Sequence, residues 1–108
     1  MKLDMYQKKS LETAFYPKDS AISYCVLGLC GEGGEVADKW KKVIRDNNGV
    51  LSDLGKEDIA KELGDVLWYV ANLSRELGYS LSEVAQMNID KLSSRQNRGV
   101  LCGSGDER

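Results

Sequence analysis

Residues 57–78, EDIAKELGDVLWYVANLSRELG, decide the fold class. Ile59, Leu63, Val66, Leu67, Val70, Leu73 and Leu77 recur at threes and fours, the period of one face of an α-helix. Gly78 follows the last of them, as a C′ glycine does when a helix ends. The segment therefore predicts a helix from Glu57 to about Gly78, and the flanking sequence repeats its pattern in both directions.

Towards the C-terminus, Ser80-Leu81-Ser82-Glu83 has the spacing of a capping box. Val84, Met87 or Asn88, and Leu92 then carry a further helix towards Arg98. The tail from Gly99 reads as irregular. Towards the N-terminus, Ile22, Val26, Leu29, Val36, Trp40, Val43 and Ile44 predict a long helix. Asp19 or Ser20 caps it, and the turn signal Asn47-Asn48-Gly49 stops it. Before that, Leu3, Tyr6, Leu11, Ala14 and Phe15 predict a helix from Leu3 to about Tyr16, closed by Pro17 because the residue before proline avoids the helical region. No period-two run, internal repeat or Gly/Ser linker interrupts the scheme. The expectation is an all-α, four-helix bundle-like fold, one domain over residues 1–108.

At 108 residues the chain can build a single core and little more. A formal charge of −2 argues against a nucleic-acid polymer as partner, since neutralising many phosphates takes a basic excess. Cys25, Cys30 and Cys102 form no CxxC pair, and with no histidine present there is no zinc set, so reduced thiols in a cytoplasmic setting are expected. No signal-like or membrane-spanning apolar run appears, so no membrane association is expected and the protein reads as soluble and intracellular.

Glu32 and Glu35 stand three apart on one predicted helix, and Glu62 and Asp65 three apart on the next, so each pair shares a helical face. An isolated acidic pair of this kind is ordinarily a solvated surface feature. Here Asp65 lies within the apolar run 63–69, where a charge is costly unless paired. Glu32 and Glu35 lie among Gly28, Gly31, Gly33 and Gly34, each costing about 1 kcal/mol in a helix relative to alanine. Either the stretch is a loop, or close backbone approach or room for a ligand offsets that cost. If the two helices are neighbours, four carboxylates converge and call for a hard divalent cation, Mg²⁺ or Mn²⁺ rather than zinc.

Gly31-Glu32-Gly33-Gly34-Glu35-Val36, followed by Glu62-Leu63-Gly64-Asp65-Val66-Leu67-Trp68-Tyr69, resembles the split ExxE and ExxD metal motif of the MazG-like nucleotide pyrophosphohydrolases. The similarity extends through Tyr6-Gln7, Tyr16-Pro17, Asn88, Lys91 and Arg95 to the tail 103–108. One departure is Gly31, where the fuller motif carries a further glutamate. The resemblance implies an oligomeric all-α bundle that cleaves nucleoside or deoxynucleoside triphosphates to the monophosphate and pyrophosphate, using Mg²⁺ held by Glu32, Glu35, Glu62 and Asp65.

Without histidine, the nucleophile is expected to be water activated by metal and a carboxylate, with Glu32 or Glu35 as the catalytic group. Asn88, Lys91 and Arg95 form a stripe on the last helix that reads either as a triphosphate grip or as a solvated face, and the resemblance favours the grip. Lys39 and Arg108 are further substrate-binding candidates. Trp40, Trp68 and Tyr69 are expected in the core, as aromatics at helical spacing usually are. Broad apolar stripes on the second and third helices predict a homodimer or homotetramer. The rival expectation is a non-catalytic helical module that binds nucleotide or a protein partner.

Overall fold

The apolar periodicity yields four α-helices in a computed structural model that describes all residues from Met1 to Arg108. They are α1 (Leu3–Ser10), α2 (Ala21–Asn47), α3 (Asp53–Glu76) and α4 (Leu81–Asn97), with 3₁₀ turns at Leu11–Thr13 and Lys18–Ser20 and no strand. The fold is all-α, as expected. α2 runs unbroken through Gly28, Gly31, Gly33 and Gly34, which removes the loop alternative for that stretch. Asn48 and Gly49 adopt positive φ (52° and 72°), and the short connection returns α3 along α2 as a helical hairpin.

Three helix ends differ from the sequence expectation. The first helix stops at Ser10 rather than Tyr16 and tightens into the 3₁₀ turn. There Ser10 Oγ donates to the Gln7 carbonyl (2.7 Å) and Thr13 Oγ1 to that of Ser10 (3.2 Å), and such back-bonding competes with the regular ladder. Neither Asp19 nor Ser20 supplies a side-chain cap to α2, because the second 3₁₀ turn feeds directly into it. α3 begins at Asp53, one turn before Glu57, since Ser52 Oγ accepts from the Gly55 amide at 3.0 Å. The capping box at Ser80 and Glu83 forms in both directions, and Gly78 takes φ +87° after α3.

α1 is fastened across α3 and α4 by polar groups. Gln7 Nε2 donates to the carbonyls of Ala71 (3.0 Å) and Tyr79 (3.1 Å), while its Oε1 accepts from the Leu81 amide (3.0 Å). Asn72 Nδ2 donates to Ser10 Oγ (3.2 Å), and Tyr16 bridges Glu76 (2.7 Å) and Arg75 (2.9 Å). Asp4 adds a carboxylate at the amide of Ser82, in the first turn of α4 where the helix dipole favours an anion. Residues 3–16 thus form an N-terminal strap whose outward side is apolar: Met5 and Leu11 are exposed, and Phe15 is 90% exposed.

The interior of the single chain is therefore small and mostly polar. Of nine buried residues, four are apolar (Ala21, Cys25, Ala71, Leu81) and five are Gln7, Ser10, Asn72, Ser74 and Arg95. The Cα radius of gyration is 16.7 Å, against about 13 Å for a compact chain of this length. Along α2, Ile22, Val26, Cys30, Gly33, Ala37, Trp40 and Ile44 form an exposed seam at helical spacing. No helix is long and apolar enough to cross a membrane.

Candidate functional site

The α2–α3 hairpin carries the acidic pairs on facing helices. Glu32, Glu62 and Asp65 each bring a carboxylate oxygen within 4.8 Å of the others. Glu32 and Glu62 are half-buried, whereas Asp65 is exposed. Glu35, one turn along α2, is exposed and lies outside that triad. Burial and then the charges of Asp65, Glu62 and Glu35 hold the Glu32 carboxyl above its usual range. None of the four carboxylates has a basic partner: Lys61, beside Glu62, turns to Glu57 instead, and Lys42 and Lys41 both pair with Asp38. Crowded oxygens with no basic partner, two of the three carboxylates being half-buried, suit a hard divalent cation, and the donor set is all oxygen.

An open groove of about 290 Å³ adjoins the triad, lined by Thr13, Glu32, Asp65, Trp68 and Tyr69. Trp68 and Tyr69 are half-buried along it, and Trp40 is 42% exposed on the outer seam of α2. None of the three belongs to the core expected for it, because the single chain has almost no apolar interior in which to place a large ring. Trp68 and Tyr69 instead meet edge to face with centroids 4.9 Å apart. Tyr6, from α1, stands close enough to Asp65 that burial and then that charge raise its phenol pKa.

The basic candidates do not converge on the groove within one chain. Lys39 is half-buried on α2, seven residues from Glu32 and so on the same side of the helix. Asn88 and Lys91 line a separate, largely apolar concavity with Leu77, Tyr79, Val84 and Met87. Arg95 is only 5% exposed and donates through Nη2 to the carbonyl of Asp106 (2.8 Å) in the tail. Arg108 folds back on the same segment and donates to the carbonyls of Val100 (3.1 Å), Gly105 (2.7 Å) and Leu101 (3.0 Å). The tail has no regular element, yet these two guanidinium groups tie it down.

Sequence reasoning missed Thr13 and Tyr6 as neighbours of the acidic site. Tyr6 lies inside the first helix and in the Tyr6-Gln7 match to the family, Thr13 lies near that helix's expected end, and nothing in their spacing pointed to α3.

Residues 22–100 match the family model described as the MazG nucleotide pyrophosphohydrolase domain. Over 114 aligned positions that take in all of both sequences, the chain is 48% identical to the Gene 37 protein of Mycobacterium phage L5. No solved structure matches it. The family model takes in both acidic pairs and all of α3 and α4, and the chain belongs to the MazG nucleotide pyrophosphohydrolase family.

Proposed function

We propose that this chain hydrolyses nucleoside or deoxynucleoside triphosphates to the monophosphate and pyrophosphate, with Mg²⁺, or Mn²⁺ in its place, held by Glu32, Glu62 and Asp65. The observation that carries the reading is the triad itself: three carboxylate oxygens within 4.8 Å of one another, with no basic side chain to balance them. Family membership supplies the reaction class.

A divalent cation bound there supplies Lewis acidity towards phosphate oxygens and neutralises their charge. Water then adds across the α–β anhydride: its oxygen joins one phosphorus, the bridging oxygen leaves on the other, and a proton is released. Glu35, exposed and one turn from Glu32, is free to orient that water and take the proton. Glu32, half-buried within the triad, is the second candidate.

No basic residue lines the groove. Charge on the triphosphate is therefore met in part by basic side chains that association brings up, Lys39 and Lys91, with Asn88 as an uncharged donor in the same concavity as Lys91. The chain works as at least a homodimer, with a homotetramer as the other closed form. Its accessible surface of 7803 Å² exceeds the roughly 6,000 Å² expected of a compact 12.0 kDa chain. The excess is of the order that large obligate interfaces bury.

The test is a panel of NTPs and dNTPs, with and without Mg²⁺, on wild type, Glu62→Ala and Asp65→Ala. Monophosphate plus pyrophosphate, lost in both variants and without metal, is the expected result. A folded wild type with no turnover on any nucleotide would move the assignment to a binding module.

A further inference from the structure

The two rings that wall the acidic groove are each set by a small residue. Trp68 donates its indole N–H to Thr13 Oγ1 at 2.8 Å, and Thr13 in turn donates to the Ser10 carbonyl. This chain of two hydrogen bonds ties the ring to the N-terminal strap. Tyr69 is set by an absence. A Cβ on Gly28 would overlap ring atoms Cε1 and Cζ of Tyr69 and lie 2.7 Å from Cδ1, so the phenol lies across α2 only because position 28 has no side chain. Gly31, Gly33 and Gly34 on the same helix face open space, which makes Gly28 the one glycine of that group with a contact to explain it.

We propose that Thr13 and Gly28 are positioning residues for the nucleotide site. They fix Trp68 and Tyr69 as a rigid aromatic wall against which the nucleoside part of the substrate packs, while the carboxylates hold the phosphate end. The proposal rests on reading the chain as a nucleotide hydrolase. The groove is lined by two carboxylates, Glu32 and Asp65, and by two aromatic rings, so it offers both a cation-bridged hold on an anionic part of a ligand and ring surface for a flat uncharged part. Because the indole N–H is spent on Thr13, Trp68 presents ring surface to the groove rather than a donor. Thr13 also lines the groove, so the strap reaches the ring from the site side.

The chain has two tryptophans, so a Trp40→Phe background leaves Trp68 as the sole indole reporter. In that background, tryptophan anisotropy and emission are read with and without Mg²⁺ and an α,β-methylene triphosphate, and KM and kcat are measured on a triphosphate that wild type hydrolyses. Thr13→Val is expected to lower the anisotropy of Trp68 and raise KM roughly three- to tenfold, the range for one lost hydrogen bond, with kcat within about twofold. Thr13→Ser restores both. Gly28→Ala is expected to raise KM in wild type and to have no further effect on Tyr69→Ala, because the ring it displaces is gone.

Unchanged anisotropy or KM in Thr13→Val, a loss confined to kcat, failure of Thr13→Ser to restore, or additive effects of Gly28→Ala and Tyr69→Ala would each overturn the proposal. Failure of the hydrolase reading is separable. A wild type without turnover whose Trp68 emission still responds to the analogue sinks the hydrolase and keeps the wall. An active wild type whose Trp68 ignores the analogue keeps the hydrolase and sinks the wall.

Discussion

Gly33→Leu changes sign according to whether the α2 seam is free or covered. Nothing lies within 4 Å of a Cβ at this position, so in a chain that works alone the leucine meets no clash. It should then stabilise α2 by about 0.8 kcal/mol, the helix-propensity gap between the two residues, and raise the melting temperature by roughly 3–6 °C. If a second copy packs on Ile22, Val26, Ala37, Trp40 and Ile44, the added side chain falls between two closely approaching helices. Overpacking then costs about 1–3 kcal/mol per copy, hence roughly 2–6 kcal/mol for a twofold pair, and the dimer dissociation constant rises from about 30-fold to more than 10⁴-fold. Sedimentation velocity at micromolar concentration with parallel melts reads both quantities. We expect wild type at twice 12.0 kDa or more and Gly33→Leu shifted towards monomer with a lower melting temperature. A higher melting temperature with unchanged mass would refute the argument that this seam is an interface.

The uncompensated triad has a signature independent of catalysis: without metal, Asp65→Asn should raise the melting temperature by relieving repulsion, and the rise produced by Mg²⁺ in wild type should vanish in that variant. The pH dependence follows from Glu32, whose pKa is raised in the folded state by burial and by Asp65, Glu62 and Glu35. Between the unfolded and folded pKa values the native state binds more protons, so in the absence of metal its contribution to stability grows as pH falls from neutral, and Glu32→Gln flattens that slope; melts across pH 4–8, a window of about four units spanning the ordinary carboxylate range, read it. Gln7→Leu strips three hydrogen bonds from a buried junction and should cost about 2–4 kcal/mol in chemical denaturation, whereas an exposed substitution such as Lys8→Ala should stay within about 0.5 kcal/mol. Arg95→Ala frees the segment after Gly99, and limited proteolysis there should accelerate while α2 and α3 stay intact.

What could be read from the sequence was what local chemistry determines. The ends of α3 and α4 at Gly78, Ser80 and Glu83 follow from backbone requirements that adjacent residues satisfy, and they formed as read. Three of the four motif carboxylates meet because i, i+3 spacing and a short hairpin leave them nowhere else to go, while Glu35 falls outside that group. The failures share a cause. Reading Trp40, Trp68 and Tyr69 as core assumed that the chain buries its own apolar stripes, but it leaves the α2 seam and the outer face of the strap uncovered. The early end of the first helix rests on the hydroxyls of Ser10 and Thr13, which bond the backbone three residues back, and what no local pattern announces is that the same two hydroxyls accept from Asn72 and Trp68 of α3.

Gln7 ties the beginning of the chain to residues 64, 72 and 74 positions further on. As the polypeptide is synthesised, the strap is made before its partners and has nothing on α3 or α4 to bind until Trp68 and the residues after it have emerged. Its apolar face and its polar face are both unsatisfied during that interval. The strap is thus made before every group of α3 and α4 that holds it, and its closing, with a long loop to gather, is the step on which a slow phase of refolding should report.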